Sequence, residues 1–385
     1  MRAWNWLSEA LDGLRRQNLY RTMTVLEGPQ TTVVKAEGQV QRLFSSNNYL
    51  DLANDPEVKA AARGALEQYG VGAGGSRLTT GTGPLHAALE EELARFKGRE
   101  AALVFNTGYM ANVGTLSALA GRGNVIFSDQ LNHASIIDGC RLSGAEVVIY
   151  RHNDMDDLED KLKFHSGRRG LIVSDGVFSM DGDLVSLPRL VELAKRYGMC
   201  TMIDEAHATG VVGDTGRGTE EHYHMEGSVD VLMGTLSKAV GSEGGFVCGS
   251  AELIQYLTNK ARSFIFSTAL SPVTMAAGLR GLQKIQEEPQ RVVQLRDNMA
   301  FLCRELERYG ISAQSDSAIL PILVGEEKRA MAAMEELKQR GYYVSAIRYP
   351  TVARGSARLR VALMSSHTRE ELAGLAQALA CVLGQ

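Results

Sequence analysis

Two short stretches place residues able to do chemistry where apolar runs end. The run that closes at Ile203 gives way at once to Asp204-Glu205-Ala206-His207. Further on, Val231-Leu232-Met233-Gly234 runs into Thr235-Leu236-Ser237-Lys238. If the two runs are neighbouring strands, a carboxylate, an imidazole and a lysine empty into one cleft. A lysine there needs a chemical reason, because taking an ammonium out of water is costly. Schiff-base formation removes the charge, and low polarity depresses the amine's pKa for nucleophilic use. Asp204 is suited to pair with a pyridinium nitrogen, which keeps such a ring protonated and a better electron sink. The expectation is pyridoxal-phosphate (PLP) chemistry with Lys238 as the point of attachment.

A phosphate needs backbone N–H groups and hydroxyls near a helix start. Asn106-Thr107-Gly108-Tyr109 follows an apolar run and opens a helical pattern, which suits that task. Ser179 and Thr235 are further hydroxyls on loops after strands, and Ser267 and Thr268 could reach the phosphate of a partner subunit's site. Asp-Glu-Ala-His also occurs in helicases, but those require G-x-x-x-x-G-K-[ST], and the chain contains no Gly-Lys pair. The glycines from Gly70 to Gly75 follow no buried strand, which leaves a nicotinamide oxidoreductase as the weaker reading. His222 and His224 lie in a polar, acidic stretch that reads as a solvated loop, and no metal site is expected.

The elements that hold these residues are legible as alternation. Apolar runs at residues 102–105, 125–127, 146–150, 171–173, 199–203, 229–233 and 245–248 read as strands buried on both faces. Helix-length segments at 109–119, 134–142, 158–164 and 187–197 lie between most of them, implying a mostly parallel sheet covered by helices. Ligands bind beyond the carboxyl ends of such strands. After Glu287-Glu288-Pro289 the pattern changes to a helix at 292–309, a strand at 318–324, a helix at 328–340, strands at 342–347 and 358–364, and a last helix from Thr368. This is the reading of a smaller α+β domain. The expected division is an N-terminal segment 1–45, a large α/β domain 46–287 and a small C-terminal domain 288–385.

Bulk properties narrow the class. The chain has 385 residues, 44% apolar and 22% charged, with a net charge of −4. That balance is globular, and it carries neither the basic footprint of nucleic-acid binding nor an apolar run long enough to span a membrane. The opening stretch from Met1 to Ala10 has no apolar h-region, so no secretory signal is expected there. Trp4, Leu7, Leu11 and Leu14 recur at helical spacing and read as an amphipathic helix that packs on the body or on a partner subunit. The five cysteines are odd in number and lack a C-x-x-C, which reads as small core residues in a reducing, cytoplasmic compartment.

Together, Asn132-His133-Ala134-Ser135, Asp204-Glu205-Ala206-His207-Ala208-Thr209-Gly210 and Thr235-Leu236-Ser237-Lys238-Ala239 resemble the α-oxoamine synthase family of PLP enzymes. The resemblance covers essentially the whole chain and implies the fold-type-I, aspartate-aminotransferase-like architecture. It implies that Lys238 carries the cofactor and moves the substrate's Cα proton, that His133 stacks on the pyridine ring, that Asp204 pairs with the ring nitrogen and that His207 bonds the phenolic oxygen. Gly108, Tyr109, Ser179 and Thr235 would hold the phosphate or frame the cofactor. Arg360 matches the arginine that binds the amino-acid carboxylate, with Arg348 a second candidate; Asn47 lies nearby in relatives, and Arg21 and Thr351 correspond to acyl contacts.

Ser46-Asn47-Asn48-Tyr49-Leu50, Gly74-Gly75-Ser76-Arg77-Leu78, the stretch from Ser174 to Gly182 and Pro350-Thr351-Val352 resemble the branch that condenses L-alanine with a pimeloyl thioester. The acyl group would arrive on coenzyme A or on acyl carrier protein. The resemblance also implies a homodimer with active sites at the interface. The branch that joins glycine to acetyl-CoA is the nearest alternative, and a catalytically idle subunit of the same fold is the alternative from another class. Asp51, Tyr349 and Ala353 depart from the family's Gly, Pro and Pro at those positions.

Overall fold

The computed structural model describes residues 4, 6–17 and 19–384. Met1 to Ala3 and Asn5, part of the opening stretch read for a signal, lie outside them. Strands β1 (Leu26–Glu27), β2 (Val33–Ala36) and β3 (Gln39–Leu43) form an antiparallel ribbon. The apolar runs that follow become β4 (Ala101–Phe105), β5 (Val125–Asp129), β6 (Glu146–Tyr150), β7 (Gly170–Asp175), β8 (Cys200–Asp204), β9 (Val231–Thr235) and β10 (Gly245–Gly249). They make a seven-stranded sheet in the order β4-β10-β9-β8-β7-β5-β6. The strands from β5 to β9 run parallel, while β10 pairs antiparallel with both β4 and β9.

Successive side chains leave a strand on opposite faces, and both faces are apolar here. Phe127, Ile172, Ile203, Leu232 and Phe246 join one core cluster with the helices Pro84–Lys97, Leu187–Tyr197 and Pro272–Glu287. Ile126, Leu171, Val173, Met202 and Met233 join the other, with Gly108–Leu119, Ala134–Ser143 and Ala251–Lys260. Each fully buried Leu, Ile or Phe contributes about 1.5–3 kcal/mol by leaving water. The helix layers on both sides are therefore what holds this sheet.

The C-terminal part supplies β11 (Ile319–Gly325), β12 (Tyr342–Tyr343), β13 (Ser345–Ile347) and β14 (Ala357–Ala362). The order β11-β14-β13 forms a three-stranded antiparallel sheet, whereas β12 pairs in parallel with β3 and completes the order β1-β2-β3-β12. The sequence run 342–347, expected as one strand, is thus two strands in two sheets. It is apolar almost throughout, so no change of alternation marks the break at buried Val344. All of β14 is buried, including Arg358 and Arg360, which share one face.

Other expectations are adjusted. The amphipathic stretch is a helix over Trp6–Arg16, with Trp4 in a turn before it and no residue of the helix buried. Cys140 and Cys248 are core residues and Cys303 is partly buried, but Cys200 and Cys381 are exposed. Asp51 keeps a left-handed turn (φ 56°) with its N–H on Asn48 O at 2.9 Å, a conformation that Asp tolerates better than most residues. Among the described residues no helix is long and apolar enough to cross a membrane.

Candidate active site

In sequence β6 follows β5, yet β7 is the strand on β5's other side. The chain leaves β5 in opposite directions there, which opens a crevice at the carboxyl ends of the strands. Asp175 and Asp204 end β7 and β8 directly opposite each other in register, and Met233 of β9 is Asp204's other partner. Both carboxylates are buried. Asp204 Oδ1 accepts from Ala206 N at 2.8 Å and Oδ2 from Asn112 Nδ2 at 2.7 Å, so the group cannot swing away from the cleft.

Lys238 follows β9 and is partly buried. Burial pushes its amine down to about 8, against the pull of Asp204 and Asp175 and with help from Arg360. About a tenth of such an amine is the free base at pH 7, far more than for an ordinary lysine. His133 caps the helix Ala134–Ser143, its backbone N–H donating to Asp175 Oδ2 at 2.8 Å. His133 itself is exposed. Enclosure by the walls holds its imidazole below the ordinary range, with Lys238 pushing the same way and Asp204 opposing. His207 is buried, and burial together with Lys238, Arg360 and His133 holds its pKa well below the usual value. Its Nδ1 meets Tyr49 Oη at 2.6 Å, and the same phenol donates to Asn47 Oδ1 at 3.0 Å.

Arg360 reaches into this group from β14. Its Nε donates to Ser179 O at 2.7 Å and one terminal nitrogen to Asn47 Oδ1 at 3.3 Å. Arg358 pairs with Asp181 on the same loop. Arg348 stands elsewhere: it lines a cavity of about 410 Å³ with Arg21, Thr351, Met331, Met334 and Ser345. Ser345 of that wall is Arg360's register partner on β13, so the cavity adjoins the arginine's strand.

The helix Gly108–Leu119 points its first turn at the cleft. Thr107 Oγ1 caps Met110 N at 3.1 Å, which leaves the N–H groups of Gly108 and Tyr109 as first-turn donors. The start of β10 comes so close that a Cβ on Gly245 would lie 2.6 Å from Thr107 O and 2.7 Å from Gly108. Thr235 Oγ1 donates to Gly244 O at 2.8 Å and meets Ser237 Oγ at 2.7 Å, tying the end of β9 to the Lys238 turn. Thr268, with Ser267 before it, sits beside the start of the helix Gly108–Leu119: it is exposed, bridges Ser76 of the glycine loop, and its carbonyl accepts from Asn106 Nδ2 at 2.7 Å.

On these observations the cleft suits PLP. It offers an amine suppressed to near neutrality, a fixed carboxylate, an exposed imidazole beside both and a helix start for an anion. Three polar residues of the same cleft went unassigned from sequence: Asn112, Ser135 and Asp175. Asn112 carried a signal, being a lone amide in the apolar turn Met110-Ala111-Asn112-Val113, four residues after Gly108. Ser135 and Asp175 sat inside quoted motifs without a role.

Residues 40–379 match the family model Aminotransferase class I and II, and the chain belongs to that family. It is a PLP-dependent transferase. Over its length it is similar to the 8-amino-7-oxononanoate synthase of Geobacter sulfurreducens, at 50% identity across 96% of each chain. It is 44% identical to 8-amino-7-oxononanoate synthase 2 of Bacillus subtilis, over 98% of this chain and 97% of the relative. Among solved structures, a serine palmitoyltransferase from S. paucimobilis with bound PLP–myriocin superposes with TM-score 0.93 at 32% identity, covering 99% of this chain and 98% of that one. An 8-amino-7-oxononanoate synthase from Francisella tularensis gives TM-score 0.77 at 28% identity, covering 88% and 96%.

Proposed function

We propose that this chain is an 8-amino-7-oxononanoate synthase, condensing L-alanine with a pimeloyl thioester and releasing CO2 and the carrier thiol. The observation that carries the reading is the convergence of Lys238, Asp204, His133 and Arg360 on one cleft in a chain half identical to enzymes of that name.

Bound PLP supplies a carbonyl for amines and an electron sink for the charge left when alanine's Cα loses a proton. The chain's residues do the rest. Lys238 Nζ would hold the cofactor and, as the free amine, would be the base that takes the Cα proton. Its pKa near 8 keeps free base available for that step. Arg360, fixed by Ser179 O and Asn47, binds the alanine carboxylate and sets which Cα bond faces the base. Asp204 would pair with the ring nitrogen, His207 would bond the phenolic oxygen, and His133 would stack on the ring. Gly108, Tyr109, Ser179 and Thr235 hold the phosphate or frame the cofactor. A C–C bond then forms between alanine's Cα and the thioester carbonyl, the thiol leaves with a proton, the carboxylate departs as CO2, and Cα, left with the electron pair of that bond, takes up a proton from solvent by way of Lys238.

The cavity with Arg21, Arg348 and Thr351 is the acyl side of this site, filled from coenzyme A or acyl carrier protein. The working unit is a cytoplasmic homodimer in which Ser267 and Thr268 reach the partner's phosphate. Residues 1–45, 46–287 and 288–385 are its three parts, the middle one holding the cofactor. The test is thiol and CO2 release with L-alanine plus pimeloyl thioester against glycine plus acetyl-CoA, with the product identified by mass. The first pair is expected to win clearly; a clear preference for the second overturns the assignment.

A further inference from the structure

Asn112 is buried in the helix Gly108–Leu119, yet both hydrogens of its amide are committed across the cleft floor. One goes to Asp204 Oδ2 at 2.7 Å, the other to Ser135 Oγ at 2.8 Å. The amide cannot be turned round, because that would set its oxygen against the Asp204 carboxylate. Its own Oδ1 is buried with no hydrogen-bond partner among the described residues, which a structure tolerates only where the rest of the group is well used.

Having accepted from Asn112, the Ser135 hydroxyl keeps one hydrogen to give, and His133 Nδ1 lies 2.7 Å away. The backbone N–H of Ser135 points at the same nitrogen at 3.3 Å. A backbone N–H can only donate. Nδ1 is therefore an acceptor facing two donors, and a proton on it would displace both. The charged groups around His133 are Asp204 at the end of β8, Lys238 after β9, His207 and, through the His133 main chain, Asp175 at the end of β7. Asp204 favours an imidazolium, but its Oδ2 is taken by Asn112 and its Oδ1 by Ala206 N.

We propose that Asn112 and Ser135 are positioning residues: the chain Asp204 Oδ2–Asn112 Nδ2–Ser135 Oγ–His133 Nδ1 presents His133 to the cleft as a neutral ring carrying its proton on Nε2. The proposal rests on the cleft holding PLP only for its consequence, which is that a flat, uncharged ring with a single outward donor stacks on the cofactor. An imidazolium would add a third cation beside Lys238 and Arg360. The same amide also ties Asp204 to the Ser135–His133 pair, so that carboxylate and imidazole keep one spacing.

Histidine side-chain 1H–15N correlation spectra of the full chain, recorded before and after PLP loading, test this without any substrate. His133→Gln identifies the signal. The wild type should show an unprotonated Nδ1 and a protonated Nε2 from pH 6 to 8. Ser135→Ala removes one donor to Nδ1, so it should mix the tautomers and raise the His133 titration by about one pH unit, the scale of one lost hydrogen bond. Ser135→Thr, which restores a hydroxyl, should recover the wild-type pattern. Asn112→Ala should weaken PLP binding at least tenfold through Asp204, whereas Ser135→Ala should change it less than threefold. A wild-type proton on Nδ1, or a Ser135→Ala spectrum identical to wild type, overturns the proposal. Neither result depends on which amino acid or acyl donor the chain prefers, so the functional assignment stands or falls separately.

Discussion

Lys97 and Glu205 form an ion pair at 3.5 Å with both side chains only 1% exposed, one residue away from Asp204. Removing one partner of such a pair costs about 3–5 kcal/mol, because the survivor is a buried charge without its counterion. Lys97→Met keeps the stem and deletes the charge. Glu205 would retain the Thr219 N–H at 3.0 Å and the Thr219 hydroxyl, so the lower figure, about 3 kcal/mol, is the expectation at pH 8. The loop has no room to retreat: Gly218 lies so close that a Cβ there would sit 1.6 Å from Glu205 Oε2.

Burial already holds Glu205 above the usual carboxylate range, with Lys97 and Thr219 opposing. The variant pushes it further up. An acid with a raised folded pKa binds more protons folded than unfolded, so its stability falls as pH climbs from the unfolded value, about 4.5, through the folded one. At about 1.4 kcal/mol per pH unit, a loss of 3 kcal/mol spans roughly two units. The deficit of Lys97→Met should therefore be small near pH 5 and full by pH 8. Urea midpoints followed by circular dichroism at both pH values measure it. Lys97→Met with Glu205→Gln, which removes both charges, should recover most of the loss. A deficit equal at pH 5 and pH 8, or a double variant worse than the single, would refute the reasoning.

Three further outcomes follow from the site. PLP uptake by cofactor-free chain should speed up about tenfold per pH unit below 8 and level off above it, since only the free amine reacts; Lys238→Ala should fix no cofactor mass after borohydride, and a pH-flat uptake rate would sink the assignment of that amine. Arg360→Lys should raise KM for alanine about 10–100-fold by losing bidentate pairing while Arg348→Ala should act on the acyl donor instead, and steady-state kinetics with each substrate varied in turn will separate them. Burial lowers His152, but Asp129 and Asp183 on its two nitrogens outweigh that and lift it to about 10. Its pairing should thus stabilise the fold fully below about 6.5 and fade as pH rises through 10, a slope that His152→Gln should abolish in alkaline denaturation curves.

The large sheet was legible because strands covered on both faces are buried at every position, as β5, β9 and β10 are, and so read as near-continuous apolar runs. Asp204 and Lys238 stood out because a charge directly after such a run has few structural explanations. The β12–β13 division was not legible, since pairing partners some 300 residues distant in sequence leave no mark on Tyr342-Tyr343. The helices Pro56–Tyr69 and Pro84–Lys97 were not among the expected elements, although each has proline in its first turn. The Asn112–Ser135 chain was invisible for another reason. A hydrogen bond between residues 23 apart depends on how two helices cross, and neither residue type announces it.

The division at Val344 also has a mechanical side. One continuous segment, Tyr342–Ile347, is stitched at its front to β3, which runs on to Asn47, and at its back to β14, which carries Arg360. Asn47 and Arg360 meet again at the cleft, closing a loop of covalent and hydrogen-bonded links. Such a closed linkage has few ways to deform. A displacement of the small sheet drags Arg360 and Asn47 together, so the cleft's arginine and the wall of the neighbouring cavity shift in one movement of a single strap.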